Sequence, residues 1–264
     1  MNWRALWAIC HRELIRLVRQ RGRMASALVR PLIWFFVIGA GVNALVDEGG
    51  TGTYHQYLVP GVIGMTMLFG AMLVSLSVAY ERESGVMRLL ISAPIPHWWI
   101  VLAKTLGASL VALIQAVVLI ILLVLLGYPM GSPWLLALAL IGTALTCASL
   151  GMLTAVWTST LDNFAVMMNF VIFPVFFLSG ALYPVQRLPE PLKTIATVNP
   201  FTHCVDLLKH AILGDVTPGL GTDFGAGLSV AVVVGFTAAA TLVACLRFSH
   251  ESRAGLLGFL RTGS

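Results

Sequence analysis

Any proton-relay, metal or hydrolytic chemistry in this chain has to be built from eleven acids, six histidines and a few hydroxyls. A proton- or ion-coupled site needs acidic side chains inside apolar segments or at broken helices. Glu13, Asp47, Glu48, Glu81, Glu83, Asp162, Glu190, Asp206, Asp215, Asp223 and Glu251 all stand at or beyond the ends of the apolar runs. The runs therefore hold nothing obvious to titrate. His11, His55, His97, His203, His210 and His250 are dispersed, and no carboxylate completes a recognisable metal set around His203 and His210. Ser179-Gly180 would need a histidine inside a span as its base, and none is there. Cys10, Cys147, Cys204 and Cys245 form no C-x-x-C and read as small apolar core residues. No G-x-x-x-x-G-K-[ST] occurs, and no glycine is followed by lysine. If this chain moves a solute uphill, the energy must enter through a partner.

The best surface for that partner is the charged stretch from Glu81 to Lys104, set between two long apolar runs. Glu81, Arg82, Glu83 and Arg88 are expensive in hydrocarbon, which places the stretch against water or protein. Gly85 reads as a hinge, Val86 to Ile91 as a short interfacial helix, and Pro94-Ile95-Pro96 as a rigid exit.

The elements around it follow from composition. The 264 residues are 58% hydrophobic and only 10% charged, with a mean hydropathy of +0.92, against about 25% charged in soluble domains. This is the composition of an all-α polytopic membrane protein. The excess of Lys and Arg lies beside apolar runs, as the positive-inside rule requires, and does not point to nucleic acid.

Residues 1–24 read as an amphipathic interfacial helix, with Trp3, Leu6, Trp7, Cys10, Leu14, Leu17 and Val18 on one side and Arg12, Arg16, Arg19 and Arg23 on the other. No small-residue cleavage site follows an apolar core there, so a cleaved signal peptide is not expected. Residues 25–264 then supply six spans: about 25–46, 57–80, 105–127, 134–157, 164–183 and 226–246. Arg30-Pro31 should snorkel and kink near the inner end of the first, and Pro174 should bend the fifth in mid-membrane. Asn43, Gln115 and Asn169 read as hydrogen-bonding glue between helices. In the long connection 184–225, the stripes Leu188, Leu192, Ile195, Val198 and Val205, Leu208, Ile212 flank Asn199-Pro200 and predict two short re-entrant helices on the outer leaflet. Counting Arg4, Arg12, Arg16, Arg19, Arg21, Arg23, Arg82, Arg88 and Lys104 against Arg187, Lys193 and Lys209 places both termini, the 81–104 loop and the 247–264 tail in the cytoplasm.

Two blocks resemble the permease subunits of ABC-2 type exporters. One is Glu81-Arg82-Glu83-Ser84-Gly85 with Leu89-Leu90-Ile91-Ser92-Ala93-Pro94-Ile95-Pro96. The other is Phe173-Pro174 through Leu178-Ser179-Gly180-Ala181-Leu182-Tyr183-Pro184, then Leu188-Pro189 and Asn199-Pro200-Phe201. The likeness is greatest to the nodulation-factor and antibiotic-resistance branch, with Lys209 where that branch leads one to expect Arg. The resemblance implies a non-enzymatic subunit in a bacterial inner membrane, paired with a second permease copy and with separate ATP-binding subunits that use ATP and Mg. This chain would bind no cofactor of its own. It assigns coupling to Glu81, Arg82, Glu83, Gly85, Arg88, Leu89, Pro94 and Pro96, and docking to Arg12, Glu13, Arg16 and Arg19. The outer gate or pathway falls to Phe173, Pro174, Phe177, Pro184, Asn199 and Pro200. Drug, lipid and lipo-oligosaccharide all stay open as cargo, because an apolar path between two copies has no code readable in one sequence. An anchoring protein without a motor is the competing reading. An intramembrane enzyme would need a polar constellation inside the spans.

Overall fold

A backbone in hydrocarbon must satisfy its own hydrogen bonds, which leaves helices as the economical form for apolar runs. The computed structural model describes residues 3–19, 21–45, 53–92, 96–214 and 221–262, and every regular element among them is helical. In chain order these are α1 (Trp3–Arg19), α2 (Arg21–Leu45), α3 (Thr53–Glu83), α4 (Val86–Ser92), α5 (His97–Leu125), α6 (Pro133–Trp157), α7 (Leu161–Phe177), a 3₁₀ turn at Val185–Arg187, α8 (Glu190–Val198), α9 (Pro200–Ile212) and α10 (Ala226–Thr262). Asp47, Glu48, Pro94, Ile95 and Asp215 lie outside the described residues.

Four segments are long and apolar enough to cross a membrane: Tyr54–Glu83, His97–Leu125, Pro133–Trp157 and Ala226–His250. Leu28–Val42 within α2, and α7, are shorter apolar helices. At 1.5 Å per residue the 17 residues of α7 reach about 25 Å, less than the ~30 Å hydrocarbon core.

Local signals set many boundaries. Pro133 opens α6 behind Ser132, and the Thr160 hydroxyl accepts from Asn163 N at 3.3 Å to cap α7. Gly85 turns the chain between α3 and α4 at φ +76°, the hinge its sequence position predicts. Elsewhere the structure departs from the sequence reading. Helix α3 runs on through Glu81–Glu83 and α5 begins at His97, so neither Glu81 nor Lys104 sits in a loop. Charge marks a loop only when water is the sole partner, and here other helices supply the partners. Pro174 falls in the last turn of α7, not mid-helix.

The centre of the bundle is α3, which packs against α2, α5, α6, α7 and α9. Its apolar window is 83% buried, against 22% for that of α10, which closes one side over α5, α6 and α9. The two predicted short helices exist but differ in kind. Leu192, Ile195 and Val198 on α8 are exposed, whereas Val205, Leu208 and Ile212 on α9 are buried in the main core.

Small residues let α3 approach its neighbours. A Cβ on Gly61 would stand 2.6 Å from the Ala181 carbonyl oxygen and 2.8 Å from Ala181 Cβ. Gly61→Ala should therefore cost about 1–3 kcal/mol as an overpacked contact. Gly41→Ala, with nothing within 4 Å of the new Cβ, should be neutral within about 0.5 kcal/mol or slightly stabilising. Unfolding of the two purified variants, followed by intrinsic fluorescence, checks the difference.

Candidate functional site

At the C-terminal end of α3 three consecutive side chains reach four different helices. Glu81 is 1% exposed and its Oε1 accepts from Lys104 Nζ of α5 at 2.8 Å and from Arg12 of α1. Lys104, 3% exposed, also donates to Glu13 Oε1 of α1 at 2.8 Å. Arg16 approaches Glu13 Oε2 at 3.5 Å. Arg82 Nη1 donates to the Val156 and Thr158 carbonyls at 3.2 and 3.1 Å, covering the end of α6 where helical carbonyls lack partners. Glu83 Oε2 accepts from Leu161 N at 2.9 Å, placing a carboxylate on the first turn of α7, where the helix dipole favours it.

Helix α1 seats on α5 through Cys10 and Glu13. A Cβ on Gly107 would meet Glu13 Cγ at 3.2 Å, so the glycine admits the carboxylate stem. Trp7 and Ile15 point away and are exposed, as is Arg19. Among the described side chains of α1, Cys10 and Glu13 are the buried ones. Beyond Gly85, Leu89 on α4 is 73% exposed. Pro96 precedes the first turn of α5. The side chain of Arg88 and all of Pro94 lie outside the described residues.

The opposite end carries a second buried lysine. Lys209 Nζ of α9 donates to Asp223 Oδ2 at 2.7 Å and to the Tyr57 hydroxyl of α3 at 2.8 Å, which in turn donates to the Gly180 carbonyl at 2.8 Å. Gly180 has φ +73°, and a Cβ there would crowd Val185 and Asp223. Burial pushes the Lys209 ammonium below its ordinary value, while Asp223 and then Asp206 pull it back. Asp206 Oδ1 accepts from Asp223 N and Phe224 N at 2.7 and 3.2 Å, and Ser229 Oγ donates to its Oδ2 at 2.8 Å. Among the described residues no three His, Cys, Asp or Glu side chains are placed to hold a metal ion.

The late motif acquires a physical role here. Asn199 Nδ2 donates to the Val175 carbonyl at 2.7 Å and its Oδ1 accepts from Phe201 N at 3.1 Å, so one side chain serves the end of α7 and the start of α9. Thr202 Oγ1 donates to the Leu178 carbonyl at 3.3 Å. Pro200 opens α9, and Pro184 precedes the 3₁₀ turn, whose Val185 N donates to Asp223 Oδ1 at 2.7 Å.

Between α2, α3 and α7 lies a cavity of about 300 Å³ that includes Phe173 and Phe177 with Arg30, Trp34, Phe69 and Asn169. The Arg30 guanidinium stacks 4.6 Å from the centre of the Phe69 ring. Arg30 is the third residue of the apolar segment Leu28–Val42, near the end where its sequence position puts it. The sequence reading gave Tyr57 no role, counted Asp223 only among the acids outside the spans, and read Lys104 as the end of the charged stretch, not as a buried partner of Glu13 and Glu81. The only signal for Lys104 was an acid at one end of the charged stretch and a lysine at the other.

Removing Lys104 leaves the buried Glu13 and Glu81 with only the partly exposed Arg12 and Arg16 as cationic partners. Lys104→Met should cost about 3–5 kcal/mol, and adding Glu13→Gln should restore part of that loss, a non-additivity readable in thermal unfolding. For Lys209 the folded state holds its proton less tightly than the unfolded chain. Stability from this group therefore rises with pH in the window below 10.5. Subtracting the Lys209→Met profile from that of the parent chain should isolate this positive slope.

Residues 4–213 match the family described as ABC-2 type transporter. Nodulation protein J of Rhizobium leguminosarum bv. trifolii is 29% identical over 242 residues, covering 89% of this chain and 90% of the relative. The inner membrane transport permease YadH of Escherichia coli is 26% identical over 233 residues, covering 85% of this chain and 89% of the relative. The probable multidrug ABC transporter permease YbhR of the same organism is 32% identical over 168 residues, 62% of this chain and 45% of the relative. With its apolar helices and a match over most of its length, the chain belongs to the ABC-2 type transporter family as a multi-pass membrane permease.

Proposed function

We propose that this permease is the membrane-spanning subunit of an ATP-driven exporter, with six spans, a second permease copy and a separate ATP-binding subunit. The cargo is an amphipathic or hydrophobic molecule drawn from the cytoplasm or inner leaflet. The Glu81 end faces the cytoplasm of a bacterial inner membrane, because the Lys and Arg excess lies there. The chain has no phosphate loop, so ATP and Mg would be held by the partner.

The observation that carries this reading is the Glu81-Arg82-Glu83 clasp. A load on α1 or α4 would be felt at once by α5, α6 and α7 through ion pairs and helix-end contacts at 2.8–3.2 Å. Exposed Leu89, beside the Gly85 hinge, offers the apolar contact for the motor subunit. Asn199, Pro200 and the Lys209–Asp223 pair would hold the opposite gate in register with α3.

Leu89→Asp alters a surface side chain and should leave unfolding unchanged while weakening capture of the ATP-binding subunit by about tenfold, the scale of one interface hot spot. Glu83→Gln should leave the complex assembled but lower transport per ATP hydrolysed. Vesicles reconstituted with the ATP-binding subunit that co-purifies with this chain give both readings. Transport that persists without ATP, or full capture by Leu89→Asp, would sink the proposal.

A further inference from the structure

Beside Lys209, three buried side chains make a hydrogen-bond chain that a neutral histidine leaves one hydrogen short. His203 and Asp206 of α9 and Ser229 in the first turn of α10 are each at most 1% exposed. His203 Nδ1 lies 3.1 Å from Ser229 Oγ, Ser229 Oγ 2.8 Å from Asp206 Oδ2, and His203 Nε2 3.0 Å from the Thr197 carbonyl oxygen of α8. Carbonyls and carboxylates only accept, and a hydroxyl has a single hydrogen to give. With Ser229 donating to Asp206, both ring nitrogens must donate, which makes the ring an imidazolium. A neutral ring, in either tautomer, sets lone pair against lone pair at one contact or takes the hydroxyl hydrogen from Asp206. A proton on Asp206 would also complete the chain. Its Oδ1, however, accepts from Asp223 N and Phe224 N, which favours the carboxylate.

The charges point the same way. Asp206 and Asp223 are two buried carboxylates and Lys209 one buried ammonium, so one further positive charge balances the cluster. The titratable and charged groups around it are Cys204, Asp206, Lys209 and His210 on α9, Glu190 and Lys193 on α8, Arg187 and Asp223 in the flanking connections, Tyr54, His55 and Tyr57 on α3, and Cys147 on α6. Between about pH 5 and 8 imidazoles alone ordinarily change charge. His55 packs on Phe35 of α2. His210 is partly exposed and donates to the Phe224 carbonyl at 2.9 Å, a contact made in either charge state. His203 is the imidazole whose contacts require the proton.

We infer that His203, Ser229 and Asp206 form a proton-operated latch at the end of the bundle opposite Glu81. One bound proton ties α8 to α9 and α10. When the imidazolium loses it to water, the charged Asp206 keeps the Ser229 hydrogen, Nδ1–H stays on Ser229, and the neutral Thr197 carbonyl gives up its donor, because a buried ion is the costlier group to leave unpaired. Thr197 stands in the last turn of α8, where carbonyls lack helical partners and a cation is favoured. Helix α8 has little else to hold it: Ala196 is its buried side chain, while Leu192, Ile195 and Val198 are exposed. The latch stands without the exporter reading, but its control of the transport cycle rests on that reading.

Amide hydrogen exchange of the purified full chain in neutral detergent, corrected for intrinsic rates, tests the latch at about pH 5.5 and about pH 8. Residues 190–198 should be about tenfold better protected at the lower pH, the scale of one hydrogen bond to a charged group. In Ser229→Ala a neutral ring is free to keep Nε2–H on Thr197, so α8 should stay protected at both pH values. His203→Gln should also abolish the pH response, and His210→Gln should preserve it. Protection of α8 that ignores pH in the parent chain would overturn the inference. So would a response that survives both Ser229→Ala and His203→Gln, or one that only His210→Gln removes. In vesicles with the co-purifying ATP-binding subunit, ATP hydrolysis should slow as the pH on the α9 side alone is lowered, and should not slow in Ser229→Ala. Hydrolysis indifferent to that pH overturns the control of transport alone. An intact exchange response in a chain that captures no ATP-binding subunit overturns the exporter reading instead.

Discussion

A lysine buried between two carboxylates is the constraint on which the rest of the bundle depends. Lys104 is out of reach of water, and so are Glu13 and Glu81. The two carboxylates share Lys104, with the partly exposed Arg12 and Arg16 beside them, and the cluster is tolerable because these partners offset a desolvation that costs an isolated ion several kcal/mol. Lys104, Glu13 and Glu81 come from α5, α1 and α3. Their pairing fixes an amphipathic helix, otherwise free to lie anywhere on a membrane surface, at one place on the bundle.

The other end repeats the device with different parts. Lys209, Asp223 and the Tyr57 hydroxyl tie α9 and the chain before α10 to the start of α3. Tyr57 and Glu81 are 24 residues apart on one helix, about 36 Å. Between them glycines bring α3 close to its neighbours: Gly61 to Ala181, Gly64 to Phe201, Gly70 to Gln115. The helix is thus held by polar contacts at both ends and packed closely along its length.

How much of this was legible in sequence depends on whether the signal is local. The Gly85 hinge, α4, the α6 start at Pro133 and the α8–α9 break at Asn199-Pro200 are local, and their positions could be read directly. Glu81 and Lys104 could not, because charge density alone describes an aqueous loop, and the pairing that buries them brings together helices 23 and 91 residues apart in the chain. Pro174 misleads for a related reason. A proline inside an apolar run reads as a kink, but the run ends three residues later, and Asn199 and Thr202 take up carbonyls at and just beyond that end. Arg30 needed the third dimension most, since only the packing of α2 on α3 shows that its guanidinium lies over Phe69.

The same geometry says which element moves most easily. Only Phe164, Ile172 and Phe176 of α7 are buried, while Val166, Phe170 and Phe173 stand exposed. Few buried apolar contacts mean a low cost of displacement. Yet α7 is held at both ends, at Leu161 by Glu83 and at Val175 by Asn199. Both attachments are single hydrogen bonds to side chains, each worth about 1–3 kcal/mol when one partner is charged or buried, and so within the energy of an interface contact. A wall with little burial, tethered through α3 to the charged clasp, can tilt without breaking the core behind it. That wall, through Asn169, Phe173 and Phe177, is also one side of the groove that Arg30 lines.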